Sequence, residues 1–209
     1  MKHGRWLAVL SAAAAISMSP AWRAHAGDGN RNFAVHGLGA QTCQAFLENV
    51  KKDNAAPALA VSWLMGYVTA TNRLEADTYD ALPVLDANVL LTLVANICEA
   101  HQQSIVETVA SDILKTLSIA RSRSQSPIVD AKFGDHITQI RADILAEMQK
   151  KLAQLGYLKT EADGVFGEST AMALIQFQNE QKLPVTGIPD APTIIRLLVE
   201  TPAQVTRER

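Results

Sequence analysis

The chain has 209 residues, 19 basic against 21 acidic side chains, a formal net charge of −2 and 48% hydrophobic residues. With that balance neither nucleic acid nor an anionic membrane surface is an expected partner, and the length allows one large domain or two small ones.

Met1 to Ala26 (residues 1–26) reads as a secretory signal peptide. Lys2 and Arg5 open it, Leu7 to Met18 form its apolar core, and Ala24-His25-Ala26 gives a small-x-small cleavage site. The uncharged run of 17 residues contains Ser19 and Pro20 and is short for a membrane span. No Cys stands near the cleavage point and no Arg pair precedes the apolar core, so neither a lipid anchor nor twin-arginine export is expected. Removal of Lys2, Arg5 and Arg23 leaves 16 basic residues against 21 acidic ones, a formal charge of −5. The expected mature chain starts at Gly27, lies in the periplasm or is secreted, and is not stably inserted in a membrane.

Gly27 to Asn32 has the composition of a polar leader. Residues 36–117 then read as an all-helical unit. Cys43, Phe46, Leu47 and Val50 follow the rhythm of an amphipathic helix. Leu59 to Thr71 predicts a second helix with Trp63 and Tyr67 one turn apart. Asp77 to Leu85 predicts a loop, Asn88 to Ala100 a third helix and Ser104 to Leu117 a fourth. Trp63 and Tyr67 suit either a partner-binding face or the core. Cys43 and Cys98 are the only cysteines, and an even count in an exported chain favours a disulfide between them. A zinc site would need more ligands than His36 and His101 supply, and a nucleophilic role lacks a neighbouring base.

Residues 118–136 read as a linker. Arg121-Ser-Arg-Ser-Gln-Ser-Pro127 is polar and ends in proline, the composition of a solvated tether. The alternative is that its arginines dock on an acidic polymer.

Residues 141–200 predict a three-helix bundle. Ile144, Met148, Leu152 and Leu155 place one apolar stripe on a helix that ends at Gly156. Asp163-Gly164 is a turn dipeptide, and Gly167-Glu168-Ser169-Thr170 opens a second helix presenting Thr170, Ala173, Leu174 and Phe177. Asp190 caps a third, with Pro192 in its first turn and Ile194, Leu197 and Leu198 on its buried side. The tail from Thr201 to Arg209 is charged and expected to fray.

Two resemblances follow from these residues. The run Leu152-x-x-Leu155-Gly156-Tyr157, Asp163-Gly164-x-Phe166-Gly167-x-x-Thr170-x-x-Ala173, Phe177-Gln178, Leu183-x-Val185-Thr186-Gly187, Asp190-x-x-Thr193 resembles the peptidoglycan-binding domain of bacterial cell-wall proteins. The resemblance implies a three-helix fold and a cell-wall ligand. Candidate ligand-binding residues are Tyr157, Asp163, Gly164, Phe166, Gly167, Thr170, Phe177 and Gln178, many of which equally suit a purely structural role. Cys43-Gln-Ala-Phe46-Leu47, Trp63-x-x-Gly66-Tyr67, Asn72, Thr78-Tyr79-Asp80 and Cys98 are similar to the HdeA-like class of small exported helical proteins, some of which are acid-stress chaperones. Secreted immunity proteins of bacterial toxin systems share a related pattern.

Enzyme chemistry finds no constellation here. A zinc hydrolase needs clustered His and carboxylate ligands, whereas His36, His101 and His136 are scattered along the mature chain. A cysteine transpeptidase needs Cys beside His, and a lytic transglycosylase's Glu-Ser pair is found only at Glu168-Ser169, inside the wall-binding motif. The expectation is a non-enzymatic protein with no cofactor and no metal, tethering a helical interaction domain and its unknown periplasmic partner to peptidoglycan. The alternatives are a wall-localised acid-stress chaperone or inhibitor, and a cell-wall hydrolase with unrecognised catalytic residues.

Overall fold

Residues 28, 30 and 32–200 are described by the computed structural model. The expected signal peptide, the cleavage point at Gly27 and the tail from Thr201 lie outside the described residues. The chain divides into two units, Met1–Ala34 and Val35–Arg209. In the first, the Asp28 carboxylate accepts the backbone N–H groups of Asn30 and Asn32, both at 2.8 Å.

In the second unit, Thr42 begins helix α1 (Cys43–Lys52) because its hydroxyl accepts the Ala45 N–H, one of the donors a helix start leaves unpaired. Pro57 sits in the first turn of α2 (Ala56–Leu74), where its missing N–H costs nothing. Asp86 caps α3 (Ala87–Ala100) through the Asn88 N–H, and α4 (Val106–Leu117) starts beside α1, with Cys43 N–H donating to Ser104 and Val106 N–H to Gln41. The apolar faces of these four helices meet around Phe46, Leu64, Leu90, Val94 and Leu114. Cys43 at the start of α1 and Cys98 near the end of α3 are bonded to each other at a Cα separation of 4.9 Å, as expected, and both are fully buried.

The expectation of an all-α chain is corrected by two strands. β1 (Ile128–Phe133) and β2 (His136–Arg141) form an antiparallel hairpin in the register Ile128↔Arg141 to Phe133↔His136. Its turn is Gly134-Asp135, with Gly134 at φ 57°, as a two-residue hairpin loop favours. Val129, Ala131 and Phe133 alternate inward while Ile128, Asp130 and Lys132 face outward. The rest of the described chain is mostly helical.

The stretch expected to be a solvated tether is packed instead. Ser118–Ala120 forms a 3-10 turn, the Arg121 guanidinium donates to the carbonyls of Asp77 and Ser118 at 3.0 Å each, and Arg123 pairs with the Asp77 carboxylate. Ser122 is buried, exchanges backbone hydrogen bonds with Asp80, and donates its hydroxyl to Asp143.

Asp80 is the joint. Its Oδ1 accepts from Asn72 Nδ2 (3.3 Å) and the Leu82 N–H (3.2 Å), and its Oδ2 accepts from Arg141 Nε (3.2 Å) and a terminal guanidinium nitrogen (2.9 Å). The two side chains are only 13% and 16% exposed, and the Arg141 guanidinium lies 5.0 Å from the Tyr79 ring centroid. Two guanidinium N–H groups converging on one carboxylate oxygen, in a pair this shielded, fix the orientation of both side chains.

The last three helices are α5 (Ala142–Gln154), α6 (Glu168–Glu180) and α7 (Ala191–Ile194), the last continuing as a π-wound segment, Ile195–Glu200. They bury Ile144, Leu145, Met148, Leu152, Leu174, Phe177 and Leu197 in a second core with Ala131 and Ile140 of the hairpin. Val84 and Val89 of the first four-helix region join this core, while Ile195 and Val199 pack on the first one.

Candidate functional site

Two turns in residues 141–200, at 163–165 and 186–188, are each built round a buried glutamine, while Leu152, Ala173 and Phe177 of the motif lie in the core. Gln149 of α5 donates through Nε2 to Asp163 Oδ1 (3.2 Å), the Val165 carbonyl (3.0 Å) and Thr170 Oγ1 (3.0 Å), and its Oε1 accepts the Gly164 N–H at 2.8 Å. Gln178 of α6 donates to Thr186 Oγ1 (3.0 Å), the Ile188 carbonyl (3.0 Å) and Thr193 Oγ1 (2.9 Å), and accepts from the N–H groups of Thr186 (3.0 Å) and Gly187 (2.9 Å).

The two arrangements are the same device used twice. In each, a glycine in the left-handed region follows Asp163 or Thr186, and a buried threonine stands six positions after that glycine. Gly164 has φ 71° and Gly187 φ 70°, and a Cβ would come within 2.6 Å of the Ala142 carbonyl oxygen at the first and 2.7 Å of the Phe133 ring at the second. Both conformation and space therefore demand glycine. Asp190 completes the second turn, capping α7 through the Thr193 N–H at 3.0 Å and accepting the Thr186 hydroxyl at 2.8 Å.

Of the eight candidate ligand residues, Gly164, Thr170, Phe177 and Gln178 are buried in this scaffold. Tyr157 and Phe166 are half-buried, and Asp163 and Gly167 are exposed. Tyr157 stacks edge-on against Phe177 at 5.8 Å and donates its hydroxyl to Glu180 at 2.7 Å. Gly167 is the N-cap position of α6 in extended conformation. The solvent-accessible part of this candidate set is thus Asp163 and Gly167, with Tyr157 and Phe166 partly accessible and Val165, 62% exposed, between them in sequence.

Sequence reasoning missed Gln149. Its signal was there: position 149 lies on the apolar face of α5, four residues after Leu145 and three before Leu152, and a lone amide on such a face needs a buried polar partner.

The Asp163 carboxyl is held below its ordinary value of 3.8, first by the Val165 N–H at 2.9 Å and then by Gln149. Because the folded value is depressed, the stabilisation is present above the unfolded value and is lost as pH falls through the folded one. The melting-temperature gap between the natural protein and Asp163→Ala should stay constant from pH 7 to about 4 and shrink on further acidification. Thermal melts from pH 7 to 2 check this, and a gap that persists undiminished at pH 2 would show that the carboxylate does not hold the turn.

A second polar feature lies among the first four helices. Trp63 and Tyr67 stack at 5.4 Å, the indole N–H donates to the His36 carbonyl at 3.1 Å, and the Tyr67 hydroxyl donates to the buried Glu107 at 2.7 Å. Burial, then the Glu107 hydrogen bond, pushes the Tyr67 phenol up to about 12. Both rings are half-buried and internally partnered.

Among the described residues no three His, Cys, Asp or Glu side chains gather to hold a metal ion, and no described helix is long and apolar enough to cross a membrane.

Comparison with known proteins places a family on part of this geometry. Residues 141–197 match the family described as putative peptidoglycan binding domain. Two curated relatives, the localization factor PodJL of Caulobacter vibrioides strain NA1000 / CB15N and that of strain ATCC 19089 / CIP 103742 / CB 15, are each 44% identical over 55 residues. The match takes in 26% of this chain and spans about 6% of either relative's length. No solved structure matches the chain. A peptidoglycan-binding domain is therefore present at residues 141–197, and it carries the paired glutamine turns.

Proposed function

We propose that this protein is a non-catalytic peptidoglycan-binding protein of the periplasm or the secreted cell-wall fraction, which holds a disulfide-stapled helical interaction unit at the wall. The observation that carries the proposal is the family match over residues 141–197. The Asp80–Arg141 pair supports the tethering part, because it seats the first residue of the matched segment on the preceding helices. The reading of those helices as an interaction unit for a periplasmic protein partner rests on their similarity to the HdeA-like class.

Residues 141–200 carry six basic and eight acidic side chains, so bulk charge does not draw this domain to a wall that itself bears carboxylates. Affinity must come from shape and local hydrogen bonds over a small surface, which sets it at about micromolar or weaker. The mature chain should co-sediment with purified wall sacculi equally at low and moderate salt, and should release no soluble muropeptides from them. Folded protein that stays in the supernatant at every salt concentration would end the wall-binding reading, and released muropeptides would end the non-catalytic one.

A further inference from the structure

The hairpin lies just before the segment matched by the wall-binding family, and its outer strand has an open edge. The Ala142 N–H donates to the Pro127 carbonyl at 2.8 Å, which makes 127/142 a hydrogen-bonded pair of the ladder. Alternation along antiparallel strands then makes 129/140, 131/138 and 133/136 hydrogen-bonded pairs, and turns the N–H and C=O of Ile128, Asp130 and Lys132 away from β2. Among the described residues, no hydrogen bond reaches those outward backbone groups. Ile128, Asp130 and Lys132 are also exposed, so nothing covers this edge from the solvent face.

Edge strands recruit other strands unless something blocks them. The side chains here favour one recruit. An antiparallel copy of β1 placed with Ala131 opposite Ala131 sets each Asp130 against the other copy's Lys132, twice, on the solvent face. The same register puts Asp130 and Lys132 at positions whose backbone groups point outward, so the two charge pairs coincide with hydrogen-bonded pairs of the new ladder. The small Ala131 occupies the close non-hydrogen-bonded position on the two-fold axis. Shifting the axis by one residue sets Asp130 against Asp130 or Lys132 against Lys132, which like-charge repulsion disfavours.

We propose that the occupant of the β1 edge is a second copy of this chain, and that two hairpins join through Ala131 into a four-stranded antiparallel sheet with two-fold symmetry. The interface is isologous, so it closes at a dimer rather than propagating. On the wall-binding reading, a dimer would present two peptidoglycan-binding domains to one polymer and gain avidity from a weak module.

The test needs no wall. Light scattering on size-separated mature protein, from about 10 µM to several hundred µM, should show the mass rising towards twice that of the chain, as a small interface of this kind predicts. Asp130→Lys should weaken dimerisation about tenfold or more by placing two lysines together. The double variant Asp130→Lys/Lys132→Asp should restore it by swapping the pair. Lys132→Pro, which removes an outward N–H that β2 does not use, should abolish it while leaving the circular dichroism spectrum intact. A chain that remains monomeric throughout the range, a dimer indifferent to Asp130→Lys and Lys132→Pro, or a charge swap that fails to restore association would each overturn the proposal.

Discussion

Replacing Cys43 and Cys98 together by alanine is expected to lower the melting temperature of residues 35–200 by roughly 10 °C, in one transition. The bond closes a separation of 55 residues, which the chain-entropy picture values at about 4 kcal/mol. Both sulfurs are buried, so the small alanine side chains leave no unpaired polar group behind. The single transition follows from the joint between the helical regions. Ile195 and Val199 pack on the core that contains the disulfide, Val84 and Val89 pack on the other, and the Asp80–Arg141 pair closes the seam. Trp63 is the only tryptophan in residues 27–209, so its fluorescence reports on the disulfide-bonded helices. Amide exchange in α5 and α6 reports on the wall-binding helices. The two probes should move together, and unchanged protection in α5 and α6 alongside an earlier Trp63 transition would show that the regions unfold independently.

How much of this was legible in the sequence depends on the range of the interaction concerned. The helices of both regions were readable from periodicity because each buries one face, as at Ile144, Met148 and Leu152. The disulfide was readable because two cysteines in a chain expected to be exported have few other fates. The hairpin was not, since each strand has six residues and its inward face offers only Val129, Ala131, Phe133, Thr138 and Ile140 as a pattern. Arg121 to Ser126 has the composition of a tether, yet its polar groups find Asp77, Asp80 and Asp143, residues that lie beside it only once the fold exists. Asn72 and Asp80 stood in the quoted pattern of the first helices, and their role in gripping Arg141 depends on a partner about sixty positions away. In the candidate site Gly164 was legible from its Asp-Gly dipeptide, whereas Gly187 stood only in the family pattern and its left-handed turn was not read. Gln149 was legible as a lone amide on an apolar face, but its partners Asp163, Val165 and Thr170 were not, because they lie 14 to 21 positions away in sequence.

Gln178→Leu is expected to destabilise the protein by about 3–5 kcal/mol, more than Gln149→Leu. Leucine matches the volume but can neither accept the N–H groups of Thr186 and Gly187 nor donate to the Ile188 carbonyl and the Thr193 hydroxyl. Gln178, Gly187, Ile188 and Thr193 are all buried, so water cannot substitute without opening the turn. At Gln149 the loss is smaller, because Asp163 and Val165 are exposed and can turn to solvent. Gln178→Glu separates the accepting from the donating role. Its ionised carboxylate would keep the two N–H partners but face the Ile188 carbonyl without a proton, and burial would raise its pKa. Below that raised value the carboxyl regains one donor, so the stability deficit of Gln178→Glu should shrink as pH falls, whereas that of Gln178→Leu lacks this rescue. Urea unfolding at pH 7 and pH 5 measures both. Sacculus binding by Gln178→Leu should fall in step with its unfolded fraction and return to the natural level at temperatures where the variant is fully folded, since this side chain is buried and its amide is spent on the turn. A fully folded Gln178→Leu protein that fails to bind would move Gln178 from the scaffold into the ligand-binding surface, and a destabilisation below about 1 kcal/mol would remove it from both.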